Sequence, residues 1–181
     1  SFGRIAERLA AHGLGSSGQT LPVNLYFEFS FNELAEKLYR ELKGELRPAG
    51  IDLQLKLIKS LDEIKNDRIP YLVYFDWSIP VPDPEFLLYP LFYSKSFLNL
   101  NYFKYKHEQL DVWLDEQRNA NLLERRVRLF RQMEDLLTNE VPAIPLYYFK
   151  QRVAYQPYIK NLRPQPAGVF YLDLKDAWID Q

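Results

Sequence analysis

The sequence predicts an α/β fold, a mixed sheet flanked by helices, and three observations carry that prediction. Apolar and polar residues alternate over 51–58, the period of a half-buried strand. Leucines recur in i, i+4 steps over 31–47, the spacing of a helix with one apolar face. Segments of these two kinds then take turns along the chain, as they do where strands and helices are layered on one another. A chain of 181 residues, 47% apolar and 26% charged, has globular proportions and is long enough for a self-sufficient core.

Taken in order, Arg4 to Ala11 reads as the end of a short helix, broken by Gly13, Gly15 and Gly18. Leu21 to Phe29 is apolar and aromatic, so a strand. Phe31 to Arg47 is a helix with Leu34, Leu38, Leu42 and Leu46 on one face, capped by Ser30 or Asn32 and ended by Pro48 and Gly50. In the strand Ile51 to Ile58, Ile51, Leu53, Leu55 and Leu57 face one way and Asp52, Gln54 and Lys56 the other. Ser60 to Asp67 is a short helix. Pro70 to Trp77 is nearly all apolar, which predicts a central strand covered on both faces.

Ser78 to Pro84 holds three prolines within five residues, so it is a stiff extended loop. Glu85 to Phe92, His107 to Gln117 and Asn121 to Leu137 are helices. The last carries Leu122, Leu123, Val127, Phe130, Met133 and Leu137 on one side and a run of Arg and Glu on the other. Ala143 to Phe149 is a strand, continuing through Arg152 to Tyr155. The tail from Gln156 is rich in Pro, Tyr and Asn, with a last apolar run at Gly168 to Leu172.

Composition excludes several functions. A net charge of −1 with dispersed Lys and Arg gives no footprint for nucleic acid. The absence of cysteine removes disulfides, thiolate metal sites and Cys nucleophiles. No apolar run approaches the roughly 20 residues of a membrane span. Ser1 to Ala11 has no apolar segment of the signal-peptide kind, and the chain lacks an initiator Met, so it reads as a trimmed or excised piece. Thirteen Tyr, twelve Phe and three Trp fit either a large core with hydroxyls at its rim or an aromatic-lined cleft.

No GxSxG, P-loop, GxGxxG or HExxH pattern occurs. His12 and His107 both read as solvated surface. No enzyme, cofactor or metal site is therefore expected. Two carboxylates stand apart. Asp76 ends an apolar strand beside Trp77, and Asp83 lies in the proline loop. Ligands of α/β sheets sit off the carboxyl ends of strands, where an Asp can accept from a ligand ammonium. The alternatives are that Asp83 makes an Asx turn before Pro84 and that Asp76 pairs with backbone amides. Trp77 is either a stacking platform or a core cover.

The run from Phe75 to Leu87, followed by Leu91-Phe92-Tyr93-Ser94, resembles the bacterial extracellular solute-binding proteins of family 5, the oligopeptide, dipeptide and nickel-binding type. Asn99-Leu100-Asn101-Tyr102 is similar to that family's asparagine-tyrosine strand, with Leu110-Asp111 and Leu114 in its following helix. Arg125 to Tyr148, and Pro157 to Trp178, resemble its closing elements. Order and spacing, more than any single motif, make the resemblance specific.

The resemblance implies a type II periplasmic-binding-protein-like lobe over residues 1–155. It makes residues 156–181 a return segment that packs on a missing N-terminal lobe of the same protein. It implies a substrate-binding protein of an ABC transporter that closes on a peptide or related small solute by hinge motion and delivers it to a membrane permease. The setting implied is periplasmic or extracellular, with or without a lipid anchor. A ligand-sensing domain of a regulator would use the same fold. The candidate ligand-binding residues are Tyr74, Asp76, Trp77, Ser78, Asp83 and Asn101. The family's usual charged anchors do not carry over. The Asp that follows the Trp by three residues in peptide binders is here Pro80, and the Arg that precedes it by three is here Tyr74.

Overall fold

The computed structural model describes residues 20–28, 33–79, 81–148, 153–164 and 172–180. By compactness the chain divides into two units, Ser1–Asp76 and Trp77–Gln181. That division falls well before residue 155, where the sequence reading starts the return segment. The helix expected before residue 12, its glycine breaks, His12, the caps at Ser30 and Asn32, and most of the 168–172 run lie outside the described residues.

In the first unit, β1 (Leu21–Glu28), β2 (Ile51–Ile58) and β3 (Tyr71–Tyr74) form a parallel sheet of order β2-β1-β3. The central strand is thus β1, and β3 is a short edge. The sign of a strand covered on both faces lies in the four consecutive buried residues Asn24 to Phe27. In β3 Leu72 is exposed, and the apolar run that suggested a central strand leaves strand geometry after Tyr74.

Helix α1 (Glu33–Leu46) covers the face bearing Val23, Leu25 and Phe27, and Ala35, Leu53, Tyr39, Leu42 and Leu46 complete that core. Phe27 and Leu53 are fully buried, and burial of such side chains contributes about 1.5–3 kcal/mol each. The buried stripe is not the expected row of leucines. Four residues turn an α-helix by more than one full turn, so a row of i, i+4 steps drifts around the axis. Leu42 and Leu46 reach the core, while Leu34 is exposed. Ala35, Tyr39, Leu42 and Leu46, spaced 4, 3 and 4, hold the face instead. The helix passes into a 3-10 turn, Arg47–Ala49, closed by Gly50 at φ 80°, a left-handed conformation that glycine adopts without steric cost.

The alternation in β2 also ends early: Leu57 is 61% exposed, while Ile58 on the opposite face is buried. That opposite face is therefore covered too, and it carries a polar cluster. Asn24 Nδ2 donates to Asp67 Oδ2 (2.9 Å) and to the Tyr26 hydroxyl (3.1 Å), and the Tyr26 hydroxyl donates to the same carboxylate oxygen. Burial, reinforced by Asp67, pushes Tyr26 up to about 12. The Tyr26 hydroxyl and the Ile69 N–H hold Asp67 below its usual range. Asn24 Oδ1 is buried without a hydrogen-bond partner among the described residues. The segment leading to this cluster is a 3-10 turn, Leu61–Ile64, set by a reciprocal capping box between Ser60 and Glu63.

The second unit is helical. It contains α2 (Glu85–Phe92), a π-helical turn at Asn99–Phe103, α3 (Glu108–Arg118) and α4 (Leu123–Glu140). The strand expected around Asn99 is that π turn. Asn99 is fully buried and closes the loop after it: its Nδ2 donates to Tyr105 O (2.7 Å) and its Oδ1 accepts from Tyr105 N (2.8 Å). Lys104 adopts a left-handed conformation to allow this. Ser94 N and its hydroxyl both donate to Asp111, tying the end of α2 to the first turn of α3.

His107 is not solvated surface. It caps α3 by accepting from Leu110 N at Nδ1 (3.3 Å), and its Nε2 faces Glu140 Oε1 (3.5 Å). On α4, Leu129 and Met133 are buried, whereas Leu122 and Leu123 at its start are exposed.

Residues 143–148 form no strand. Pro142 and Pro145 supply no N–H, and no strand among the described residues pairs with this stretch. Beyond it, β4 (Ile159–Lys160) pairs antiparallel with β7 (Trp178–Ile179), and β5 (Arg163–Pro164) with β6 (Leu172–Asp173). No helix among the described residues is long and apolar enough to cross a membrane.

Candidate functional site

The proline loop is held from both sides by helix α2. Pro90 lies inside that helix and has no N–H to offer the carbonyl four residues earlier, which is that of Phe86. The Trp77 indole Nε1–H donates to this carbonyl instead, at 3.1 Å. Trp77 is 38% exposed, and the one polar atom of its side chain is used in this bond.

The other end of the loop is fixed by charge. Asp83 Oδ1 accepts from the Glu85 backbone N–H (3.0 Å), the Asx arrangement foreseen before Pro84. Arg126 then grips the same carboxylate in a fork, Nη2 to Oδ1 at 2.9 Å and Nη1 to Oδ2 at 2.8 Å. Its Nε donates to Oε1 of the buried Gln117 (2.9 Å), and its guanidinium lies over the Phe130 ring. Glu85 is shared between Arg126 and Arg118, and Arg118 stacks on Tyr89 at 3.7 Å. Burial pulls the Asp83 carboxyl up, but the Arg126 hydrogen bond and the Glu85 N–H outweigh it and leave Asp83 below the usual carboxylate range.

The candidate residues therefore have different surroundings. Trp77 and Asp83 converge on the first turn of α2. Asp83 is engaged by Arg126, so its oxygens already have partners. Ser78 and Asp76 are exposed. Tyr74 packs its ring on Phe27, with centroids 4.8 Å apart, in the first unit's core. Asn101 donates from Nδ2 to Phe97 O (2.7 Å) within the π turn. Around the loop Val81, Phe86 and Leu87 are exposed, so its accessible side chains are largely apolar. No group of His, Asp and Glu able to hold a metal ion occurs among the described residues.

Sequence reasoning assigned Arg126 to the solvated face of α4. A signal was present: Arg126 lies four residues before Phe130 and seven before Met133, in phase with the inward stripe. The charge of the side chain hid it.

No family model matches the sequence. The dipeptide-binding protein DppE of Bacillus subtilis is 26% identical over 152 residues, covering 82% of this chain. The chain spans only about a quarter (26%) of the length of DppE. Among solved structures, the oligopeptide-binding protein AppA of Bacillus subtilis, in complex with a nonapeptide, superposes with a TM-score of 0.72 at 18% identity, over 97% of this chain and 37% of AppA. NikA of Staphylococcus aureus, in complex with Ni(L-His)2, superposes with a TM-score of 0.70 at 15% identity, over 93% of this chain and 36% of NikA. The structural likenesses establish a type II periplasmic-binding-protein-like fold, and the relatives named are binding proteins. The chain is thus similar in sequence to a dipeptide-binding protein over most of its own length, and in fold to an oligopeptide-binding protein and to NikA.

Proposed function

We propose that this chain forms the ligand-contacting part of an ABC-transporter substrate-binding protein for peptides or a related small solute, working outside the cytoplasmic membrane. The observation that carries this reading is the Trp77–Phe86 loop. It is stiffened by proline, pinned at Trp77 and at Asp83, and exposed along apolar side chains. Rigid, mostly apolar surfaces with few polar groups are what small-ligand sites use. Trp77 and Ser78 would meet the ligand from this unit. Asp76 is the exposed carboxylate in this stretch that is suited to a ligand ammonium, since Asp83 is already paired.

The tail supports a second part of the proposal. Among the described residues its strands pair in two-residue ribbons, and Tyr158, Leu174, Trp178 and Ile179 are exposed. A segment of this kind suits a return to another lobe, so we assign residues 156–181 to that role and residues 1–155 to the lobe. Hinge closure on the solute and delivery to a permease follow from this assignment. Native mass spectrometry of the full-length protein carrying this segment, purified without refolding, tests it. A co-purifying peptide supports peptide transport. A non-peptide solute would mean that Pro80 accompanies a changed ligand class, and a protein that retains no solute and gains none from added peptide would contradict the reading.

A further inference from the structure

We infer that Pro90 is a positioning residue for Trp77, and that the tryptophan so held meets the ligand with its ring face and takes an apolar or aromatic group. The inference deepens the binding reading above and rests on it for the ligand. Its mechanical part stands on chemistry and geometry within the second unit.

A proline inside a helix is costly because it removes one hydrogen bond and leaves the carbonyl four residues earlier without its donor. Here that carbonyl belongs to Phe86 in the first turn of α2, and the Trp77 indole N–H fills it at 3.1 Å. The orphaned acceptor thus becomes the anchor for a side chain from the far end of the loop. With Ala at position 90, the helix would supply its own donor to Phe86 O, and the indole would face a competitor. The second anchor, Asp83 on Arg126, fixes the start of the same helix turn, so Phe86 O itself is held in place.

The arrangement also sets what Trp77 can recognise. An indole has one hydrogen-bond donor and no acceptor. With that donor used by Phe86, Trp77 offers a ligand only its π surface. The exposed neighbours Val81, Phe86 and Leu87 are apolar as well, and the nearby carboxylates Asp83 and Glu85 are neutralised by Arg126 and Arg118. A surface of this chemistry suits an aromatic or aliphatic side chain of a peptide-like solute.

The test uses the full chain with Trp113 and Trp178 replaced by Phe, so that emission reports Trp77 alone. Pro90→Ala is expected to shift Trp77 emission to the red, raise its quenching by acrylamide and speed exchange of its indole proton, with no loss of thermal stability. A proline that merely shaped the helix would change the melting temperature and leave Trp77 unmoved, and that result would overturn the inference. Should Pro90→Ala be poorly folded, Asp83→Asn loosens the same helix turn from the other side and is expected to move Trp77 in the same direction. Unmoved emission in that variant counts equally against it. The tripeptide Ala-Phe-Ala is expected to perturb Trp77 more strongly than Ala-Ala-Ala, and Pro90→Ala to narrow that difference. Equal responses to the two peptides would refute the apolar preference. If Trp77 responds to Pro90→Ala but no peptide perturbs it, the binding reading fails while the positioning role stands.

Discussion

The two units of this chain reach order by different routes. In the first, apolar periodicity does most of the work. Three strands and one helix bury Leu25, Phe27, Ala35 and Leu53 in one cluster, and polar contacts concentrate on the other face around Asn24, Tyr26 and Asp67. In the second, helices are held in register by polar side chains that reach between elements: Asp83 to Arg126, Ser94 to Asp111, Asn99 to Tyr105 and Tyr93 to Asp115. A region ordered by burial is sensitive to lost volume. A region ordered by specific polar bonds is sensitive to the loss of single atoms.

The largest effect is therefore expected in the first unit. Leu53→Ala removes a fully buried side chain between the sheet and α1, and a cost of about 2–5 kcal/mol is expected in chemical denaturation. Leu57→Ala, two alternations further along the same strand but exposed, should stay within about 0.5 kcal/mol. Similar losses at both positions would show that the helix-covered face extends further than described.

Next comes the polar counterpart. Asn99→Ala strands the N–H and C=O of Tyr105, and we expect a cost of about 1–3 kcal/mol. Tyr26→Phe is expected to cost about 1–2 kcal/mol by removing the hydroxyl that donates to Asp67. It carries a pH signature too. A tyrosine raised from 10.0 to about 12 adds stability that is complete below 10.0 and is lost as pH rises toward about 12. The wild-type chain should weaken over that window, and Tyr26→Phe should weaken less steeply.

Asp83 has the opposite sign. Its folded value is depressed, so its contribution is present above the ordinary value of 3.8 and fades as pH falls through the folded one. Asp83→Asn keeps the backbone cap and should flatten acid unfolding. The smallest effect is a gain. Val141 caps the end of α4 at φ 54°, a conformation unfavourable for a β-branched residue. Val141→Gly is expected to stabilise by about 1 kcal/mol, read as a higher melting temperature.

The same contrast explains what the sequence reveals. The strand at 51–58 and the helix at 85–92 have the bounds that their patterns suggest, because local periodicity, prolines and turn residues define them. The edge position of β3 depends on which strand it joins, and periodicity carries no such information. The π turn at Asn99 depends on one side chain closing on a backbone six residues away. At the site, Trp77 and the proline loop stand out in the sequence. Their anchors do not. Arg126 lies 43 residues from Asp83, and nothing local marks it as a partner. Pro90 reads as an irregularity in a helix until the indole is seen on the carbonyl that it frees.

The most direct measurement is a titration of the isotopically labelled chain with Ala-Phe-Ala, followed by two-dimensional amide NMR. Shifts are expected to concentrate at the Trp77 indole and the amides of residues 78–88, growing with peptide concentration. Shifts confined to residues 20–70, or none at any attainable concentration, would contradict the binding reading.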